Sequence, residues 1–380
     1  MRLSSIFFGF SLAAALFQAG CTGGGGSKDE IVIGEYGSMT GSESSFGMST
    51  HRGIEIAMEE ANAAGGVGGK KFRVISYDNQ GRSDEAVTAI TKLITRDKVL
   101  LVIGEVASSR SIAAGAIAQQ YKIPMISPAS TNPRVTQLGN YVFRVCFIDP
   151  FQGKVMAKFT IDNLKKKKAA ILRDIRSDYS VGLADFYSKE LKAMGGEIVV
   201  DTAYSTGDVD FKSQLTNIRS KKPDVIFVPG YYTEVGLIAR QAKELGLNAP
   251  LLGGDGWDSE KLTEIGGDAI VGHYFSNHYS QEDKNPSVQA FIKKYRERYK
   301  ETPDSMAVLG YDAAVVAVAA VKNAKELTPA AIRDALAATK GVPGVTGAIN
   351  LNENRDAVKS AVVMKVSGPK TYSFVTSINP

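Results

Sequence analysis

The sequence predicts an α/β protein made of two similar units, each with a parallel sheet. Short β-branched runs alternate with helical patterns from Ile31 onward, which is typical of repeated βαβ units whose sheet is covered on both faces. The same alternation restarts after Asp149. About 350 residues follow the N-terminal segment, which is enough for two domains of ordinary size.

The first unit begins with the strand run IVIGEYGS. A helix over 53–64 is predicted from its apolar face, and the pair Gly65-Gly66 ends it. The elements that follow are FRVISYD (strand), a helix opened by Ser83, VLLVIGE (strand), a helix from about Ser109 to Tyr121, and PMISPAS (strand).

The second unit repeats this order. Its predicted strands are AAILRD, EIVVDTAYS, DVIFVPG and LLGGDG, with helices near 181–194, 211–219 and 233–245. A final part adds helices over 288–299, 312–322 and 329–339 and strands near 361–366 and 372–375. The apolar run 313–321 is far shorter than the ~20 residues that span a bilayer, so we predict a buried helix there.

The first twenty residues have the pattern of an export signal. Arg2 supplies a positive charge, the stretch from Ile6 to Phe17 is mostly apolar, and Ala19-Gly20 precedes Cys21. The pattern resembles a bacterial lipoprotein signal, in which the cysteine is lipidated and becomes the mature N-terminus, although Gln18 stands where an aliphatic residue is usual. We expect residues 1–20 to be the signal peptide and 21–30 a lipidated cysteine with a flexible glycine-rich tether. An ordinary secretory signal is the alternative.

Cysteine content and charge exclude several classes of protein. Cys146 is the only other cysteine, and its apolar run YVFRVCFI predicts a buried thiol and a fold without an intramolecular disulfide. The chain has 45 Lys and Arg against 40 Asp and Glu, a weak excess. Its one dense basic run, Lys165 to Lys168, lies where a helix is expected to end, so we predict a solvated turn and no nucleic-acid partner.

No catalytic or metal-binding constellation can be assembled from the sequence. The three histidines, His51, His273 and His278, have spacings that suit no helical metal pair, and neither GxSxG nor CxxC occurs. The run GGVGGKK at 65–71 resembles a phosphate loop, but Ala64 and Lys71 stand where that loop needs Gly and Ser or Thr. We therefore predict no enzyme activity, no metal and no cofactor.

Polar residues follow three predicted strands of the first unit, in SMTGSESSFG, EVASSRS and ISPASTNP. Ligands of open α/β sheets bind at the carboxyl ends of the strands, and hydroxyls near helix starts suit a carboxylate. The second unit supplies Asp149 and Asp255, which suit an ammonium group. Together these residues describe an α-amino acid site, although each hydroxyl taken singly is more simply an N-cap or turn residue.

The chain is similar to the leucine/isoleucine/valine-binding protein family, the type I periplasmic solute-binding proteins of ABC importers for branched-chain and related amino acids. The motifs that carry the resemblance are, in family order, ANAAGGVGGKKFRVISYDNQG, IGEVASS, ISPASTNP, DPFQG, DYSVG, GYYTEVG and GGDGWDS. The resemblance implies two Rossmann-like lobes with parallel central sheets, joined by three crossovers, with the ligand between them. We expect one lobe to comprise 31–148 plus about 276–345, and the other 149–275 plus about 346–380.

The resemblance also implies a set of ligand-binding residues. The groups expected to hold the ligand carboxylate are the side chains of Ser108 and Thr131 and the backbone of Ala129 and Ser130. Asp255, where the family often has Glu, is expected to pair with the α-ammonium, and Asp149 is a second acidic candidate. The residues expected to line or close the side-chain pocket are Phe46, Tyr179 and Tyr231. Phe151 and Trp257 lie beside these motifs and fit either a pocket wall or the core.

The leading interpretation is the substrate-binding lipoprotein of an ABC importer, which is exported and held by its lipid in the cell envelope, facing the periplasm or the exterior. Its expected partners are an amino acid and a membrane permease, and we expect a monomer. Two alternatives are a ligand-sensing domain that works through a partner receptor and a structural envelope lipoprotein that regulates another protein. The aromatic pocket suits many apolar ligands, so the sequence leaves the choice of amino acid open.

Overall fold

The computed structural model describes residues 30–380 and has two main β-sheets, one in each predicted unit. The predicted signal peptide and Cys21 lie outside the described residues. Glu30, predicted to end the tether, is the first residue of a strand.

The first unit alternates strands and helices. Its elements are β1 Glu30–Gly37, α1 Ser44–Ala63, β2 Lys71–Asp78, α2 Ser83–Thr95, β3 Leu101–Ile103, α3 Ser108–Tyr121, β4 Met125–Ser127, α4 Arg134–Gln137 and β5 Val142–Arg144. The strand order is β2-β1-β3-β4-β5, and all neighbouring strands are parallel. The predicted parallel sheet is thus confirmed. The run GGVGGKK forms the turn between α1 and β2, as predicted.

The second unit has the same alternation. Its elements are α5 Asp149–Lys158, β6 Lys168–Asp174, α6 Asp178–Ala193, β7 Glu197–Tyr204, α7 Lys212–Ser220, β8 Val225–Phe227, α8 Tyr232–Glu244, β9 Leu251–Gly253, α9 Glu260–Gly266 and β10 Tyr274–Asn277. A short π-helical segment, Phe159–Asn163, continues α5, and a 3₁₀ turn, Asp255–Trp257, follows β9. The basic residues 165–168 are exposed at the entry to β6, as predicted.

The last part of the chain contributes to both units. Its elements are α10 Pro286–Tyr299, α11 Ser305–Asn323, α12 Pro329–Ala337, β11 Val342–Gly344, β12 Gly347–Ile349, β13 Ala361–Gly368 and β14 Thr371–Ile378. Strands β13 and β14 extend the second sheet, whose order is β14-β13-β10-β9-β8-β6-β7, and both pair antiparallel. The chain passes between the units after β5, after β10 and before β13, so the three predicted crossovers are confirmed.

Helices α1 and α11 pack with their backbones in close approach. A Cβ atom at Gly53 would collide with the carbonyl oxygen of Ala307, and one at Gly310 would collide with that of Thr50. Helix α11 is apolar and long enough to cross a membrane, but 72% of its most apolar window is buried in the protein. The prediction of a buried core helix is therefore confirmed.

The predicted boundary between the lobes near residue 346 is too early. Ile349, Leu351 and Ala357 belong to the same buried cluster as residues of the first sheet. The hairpin β11–β12 is held on α11, because Val345 N–H donates to Asp312 Oδ1 at 2.7 Å. The chain therefore leaves the first unit after Ala357, and β10 places the preceding crossover just after Asn277.

Candidate functional site

A small cavity lies between the two units, beside the carboxyl ends of their parallel strands. Its volume is about 10 Å³, far below the ~300–1,000 Å³ typical of sites for drug-sized ligands. The predicted residues that line it are Phe46, Ala129, Thr131, Tyr179, Tyr231 and Asp255. The sequence analysis missed three further lining residues, Val106, Gly256 and Met306. Loops and helix starts that follow the strands of both sheets therefore converge here.

Thr131 presents a hydroxyl without a partner. The residue is 1% exposed, and its Oγ1 has no hydrogen bond within residues 30–380. Ser108, the first residue of α3, does not line the cavity, and its Oγ accepts a hydrogen bond from Asn132 N–H at 3.2 Å. Ser108 thus braces the loop that carries Thr131, and the start of α3 adds partial positive charge to this side of the site.

Ser130 supports the same loop from within. Its N–H donates to Ser127 Oγ at 2.9 Å, and its carbonyl accepts from Arg144 Nη1 at 2.6 Å. Its hydroxyl lies 2.9 Å from the carbonyl oxygen of Glu105. Both backbone groups of Ser130 are therefore engaged inside the protein, and the prediction that they serve a ligand is not compatible with this geometry.

Arg144, at the end of β5, is a buried support that the sequence analysis did not identify. Its side chain is fully buried, and Nη1 also donates to the carbonyl of Asn132 at 2.8 Å. Its Nε lies 2.6 Å from Asp356 Oδ1. Asp356 is close to the point where the chain leaves the first unit for the last time. Arg144 therefore ties the loop on both sides of Thr131 to the crossover segment.

Asp255 is the acidic group of the second unit. It is 3% exposed and opens the 3₁₀ turn after β9. Its Oδ1 accepts hydrogen bonds from Gln152 Nε2 at 2.7 Å and Tyr179 Oη at 3.0 Å, and its Oδ2 lies 3.0 Å from His278 Nε2. Gln152 and His278 were missed, because nothing in their local sequence indicates that two distant segments meet at one carboxylate.

Asp149 is a second buried carboxyl at the first residue of α5. It is fully buried, neither oxygen has a hydrogen-bond partner within residues 30–380, and it does not line the cavity. Its N–H donates to the carbonyl of Thr131 at 2.9 Å. Burial raises the pKa of Asp149 well above its ordinary value, and the charge of Asp255 adds to this shift. The Thr131 hydroxyl opposes it, although it lies outside the geometry of a hydrogen bond.

Three aromatic rings close the cavity. Tyr179 and Tyr231 stack with centroids 5.3 Å apart at 5°, and the edge of Phe46 from the first unit meets Tyr231 at 5.6 Å. Burial raises the pKa of both tyrosines well above the ordinary value, so both phenols are neutral. The three rings therefore form an apolar wall to which both units contribute.

Phe151 and Trp257 do not line the cavity. Phe151 packs on Phe147 with centroids 6.0 Å apart. Trp257 is fully buried, its indole N–H donates to the carbonyl of Val228 at 3.0 Å, and its ring covers Gly253, where any Cβ would collide with it. The sequence left open whether Phe151 and Trp257 form a pocket wall or pack in the core. Both pack against other residues of the core.

The two units touch on both flanks of the cavity. On one flank, Asp178 N–H donates to Ser109 Oγ at 2.9 Å, and the carbonyl of Asp178 accepts from Asn132 Nδ2 at 2.7 Å. On the other flank, Ser45 N–H donates to Tyr232 Oη at 3.2 Å. Polar contacts therefore bridge the cleft beside the aromatic wall.

The other ionisable groups do not form a reactive cluster. Within residues 30–380, no group of three or more His, Cys, Asp or Glu side chains has the arrangement of a metal site. His51 Nδ1 lies 2.7 Å from Glu35 Oε2, and His273 Nδ1 accepts a hydrogen bond from Leu251 N–H at 3.2 Å. Burial raises the pKa of the Cys146 thiol to about 12, so the thiol is protonated.

Comparisons with known proteins agree with this architecture. Residues 30–370 match the family model for periplasmic binding proteins. The chain is 41% identical to the leucine-binding protein LivK of Thermotoga maritima, with a TM-score of 0.88 over 92% of this chain and 99% of that one. It is 34% identical to LivJ of Streptococcus pneumoniae, a branched-chain amino acid transporter substrate-binding protein solved with isoleucine, with a TM-score of 0.87 over 92% and 100%.

A curated relative from Rhizobium johnstonii, the Leu/Ile/Val-binding protein BraC3, is 33% identical over 86% of this chain and 89% of its own length. Its match, those of LivK and LivJ and that of the family model all extend across both units. The chain therefore belongs to the periplasmic binding protein family, has its type I fold, and groups with the leucine/isoleucine/valine-binding proteins.

Proposed function

We propose that this chain is the substrate-binding subunit of an ABC importer and that it binds an apolar α-amino acid in the cavity between its lobes. One observation carries the proposal. Thr131, whose buried hydroxyl has no hydrogen bond within residues 30–380, and the buried Asp255 line one cavity from opposite units. A hydroxyl donor on one side and a fixed negative charge on the other are complementary to the two ends of a zwitterion.

At the carboxylate end, Thr131 donates its hydroxyl to the ligand. The start of α3 at Ser108 lies directly behind, and backbone N–H groups at a helix N-terminus favour a negative charge. Arg144 is fully buried and holds the loop through carbonyl groups, so it fixes the loop geometry without contacting the ligand itself.

At the ammonium end, Asp255 accepts the ligand's charged N–H group. A carboxylate offers about four lone-pair sites, and Gln152, Tyr179 and His278 occupy three of them. Asp149 lies nearby as a second carboxyl, and a bound ammonium would favour its charged form.

The ligand side chain lies against the aromatic wall. Phe46, Tyr179 and Tyr231 enclose it, and Val106 and Met306 add aliphatic surface. Such a lining favours an aliphatic or other apolar side chain, and it agrees with the isoleucine complex of the related LivJ.

The lobes open and close around the ligand. The polar contacts of Asp178 with Ser109 and of Ser45 with Tyr232 join the units only when the cleft is narrow. We therefore assign this geometry to the closed form. Ligand contacts made by both lobes stabilise closure, because a ligand shifts the equilibrium toward the state it binds more tightly.

The assignment is tested by titration calorimetry with leucine, isoleucine and valine. Two leucine analogues locate the recognised groups, namely 4-methylpentanoic acid, which lacks the amino group, and 3-methylbutylamine, which lacks the carboxylate. Asp255→Asn should weaken leucine at least about tenfold, because charge-assisted hydrogen bonds contribute about 1.5–3 kcal/mol. Asp185→Asn, on the exposed face of α6, is the control.

Thr131→Ala should weaken leucine less than Asp255→Asn, because the helix start remains. Equal losses of affinity for leucine and for 4-methylpentanoic acid in Asp255→Asn would show that the carboxylate does not read the ammonium. Failure of the wild-type protein to bind any α-amino acid would reject the assignment.

The location of the protein follows from its family and its N-terminus. Periplasmic binding proteins are exported, and we propose that lipid on Cys21 keeps this one at the membrane beside its permease. Stable anchoring needs more than one acyl chain. Cys21→Ser should release the protein from the membrane fraction and leave amino acid affinity unchanged. A wild-type protein that is freely soluble and carries no lipid mass would contradict the anchor.

A further inference from the structure

His278 connects the ligand cavity with a crossover between the lobes. It directly follows β10, where the chain leaves the second sheet, and its side chain is fully buried. On one side its Nε2 lies 3.0 Å from Asp255 Oδ2. On the other side the residue lines a separate cavity of about 510 Å³ beside the crossovers, together with Val345 and Lys359. His278 therefore lies between this second cavity and Asp255, which lines the ligand cavity.

The hydrogen bond fixes the role of one imidazole nitrogen. A carboxylate only accepts hydrogen bonds, so Nε2 is the donor to Asp255. Nδ1 has no hydrogen-bond partner within residues 30–380. The ring is stacked on Phe147 with centroids 3.8 Å apart at 23°, so its plane is fixed by packing.

The three donors to Asp255 come from separate parts of the chain. Gln152 lies on α5, Tyr179 on α6, and His278 at the crossover. Gln152 and Tyr179 both bind Oδ1, and His278 is the donor found at Oδ2 within residues 30–380. His278 therefore fixes the position of Oδ2, and with it the rotation of the carboxylate about its Cβ–Cγ bond, whereas the other two donors hold only Oδ1.

We propose that His278 is a positioning residue for ammonium recognition: it holds Asp255 Oδ2 so that the remaining lone pair of the carboxylate faces the cavity. The inference rests on the proposed function, because it concerns the same site. Because His278 lies at a crossover, movement of the lobes also moves the group that aims Asp255. Recognition of the amino group is thereby coupled to the closed arrangement of the lobes.

The test uses amides that replace one ring nitrogen at a time. A glutamine side chain places an N–H group near the position of Nε2, whereas asparagine reaches only the position of Nδ1. The variants are His278→Gln, His278→Asn and His278→Ala. His273→Gln is the control, because His273 is half-buried just before β10 and bonds to the backbone N–H of Leu251. Calorimetry measures affinity for leucine and for 4-methylpentanoic acid, and melting temperatures are recorded.

In the wild-type protein, leucine should bind more tightly than its deaminated analogue. His278→Asn and His278→Ala should reduce this preference by about tenfold, the loss typical of one charge-assisted hydrogen bond. His278→Gln should retain the preference within about threefold, and His273→Gln should not change it. If Asn and Ala lower the affinity for both compounds equally, or if Gln behaves like Asn, His278 acts through packing alone and the proposal is wrong.

The wild-type protein provides an independent measurement should a variant fail to fold. A solvent-protected imidazole N–H resonance of His278 should be visible by NMR and should shift on addition of leucine but not of 4-methylpentanoic acid. Absence of that resonance, or equal shifts with both compounds, would overturn the proposal. A wild-type protein that binds neither compound, or both equally, would instead reject the amino acid site itself.

Discussion

Replacing Arg144 by methionine should destabilise the first unit and weaken ligand binding together. Arg144 is fully buried and donates to the carbonyls of Ser130 and Asn132, on either side of Thr131, while its Nε lies against Asp356. Methionine keeps much of the aliphatic volume but removes every donor. The substitution therefore separates loss of the polar contacts from creation of a large cavity.

The expected cost can be estimated from the groups left behind. Removing one partner of a buried ion pair costs about 3–5 kcal/mol. The side chain of Asp356 is 10% exposed and keeps a hydrogen bond from Thr136 at 2.8 Å, which favours the lower end of that range. The two buried carbonyls each lose one donor but keep another, Cys146 Sγ on Ser130 and Val135 N–H on Asn132, so each loss adds only about 0.5 kcal/mol. We expect a net loss of about 4 kcal/mol, against about 5–15 kcal/mol for a whole fold.

Thermal unfolding and urea titration measure this loss, and the melting temperature should fall by about 5 °C. The control is Arg134→Met, because Arg134 is 63% exposed in its pair with Asp178 and such pairs contribute under about 1 kcal/mol. The double variant Arg144→Met with Asp356→Leu should lose less stability than the sum of the two single variants, since no buried charge is left unpaired.

A loss below about 1 kcal/mol in Arg144→Met would refute this reasoning. It would mean that water or another donor replaces the guanidinium, and that the loop around Thr131 does not depend on it. Strict additivity in the double variant would likewise show that Arg144 and Asp356 are not coupled.

Three further predictions concern buried ionisable groups. Burial and the charge of Asp258 raise the pKa of Asp304 from 3.8 to about 7. Between these values the folded state binds more protons than the unfolded state, so stability should fall as pH rises through that window. The melting temperature of Asp304→Asn should depend less on pH across it. Amino acid binding should lower the raised pKa of Asp149 and release protons, which calorimetry in buffers of different ionisation enthalpy detects. Asp149→Asn should abolish the release. The Cys146 thiol should resist alkylation in the native protein and react after unfolding, as peptide mass mapping shows; rapid native labelling would contradict its burial.

The alternation of elements could be predicted because it depends on local patterns. Apolar periodicity and Gly-rich turns identified the parallel sheets and the main strands of both units. Helix α11 was predicted to start at Asp312 but starts at Ser305, with Asp304 as its N-cap, whose carboxylate accepts a hydrogen bond from Ala307 N–H at 2.9 Å. Gly310 disguised this first part of the helix, since glycine usually weakens a helix; here it permits the close approach of α1.

That misplaced start explains part of the incomplete site. Met306 lies on the first turn of α11, so it could not be recognised as a wall of the cavity. Arg144, Gln152 and His278 were missed for another reason. Each acts on a residue that is distant in the chain or on a loop whose shape no local pattern specifies, and only the folded arrangement of both units brings them together.

Trp257 gives the protein an intrinsic optical reporter of its own binding site. It is the one tryptophan of the chain, and it ends the 3₁₀ turn that Asp255 begins. Its indole is fully buried, bonded to Val228 and seated on Gly253. All indole emission therefore comes from a single rigid environment two residues from the carboxylate. If Asp255 receives an ammonium group as proposed, we expect any displacement of its carboxylate to reach that fluorophore through one short turn, and ligand association should then be measurable in unlabelled protein in real time.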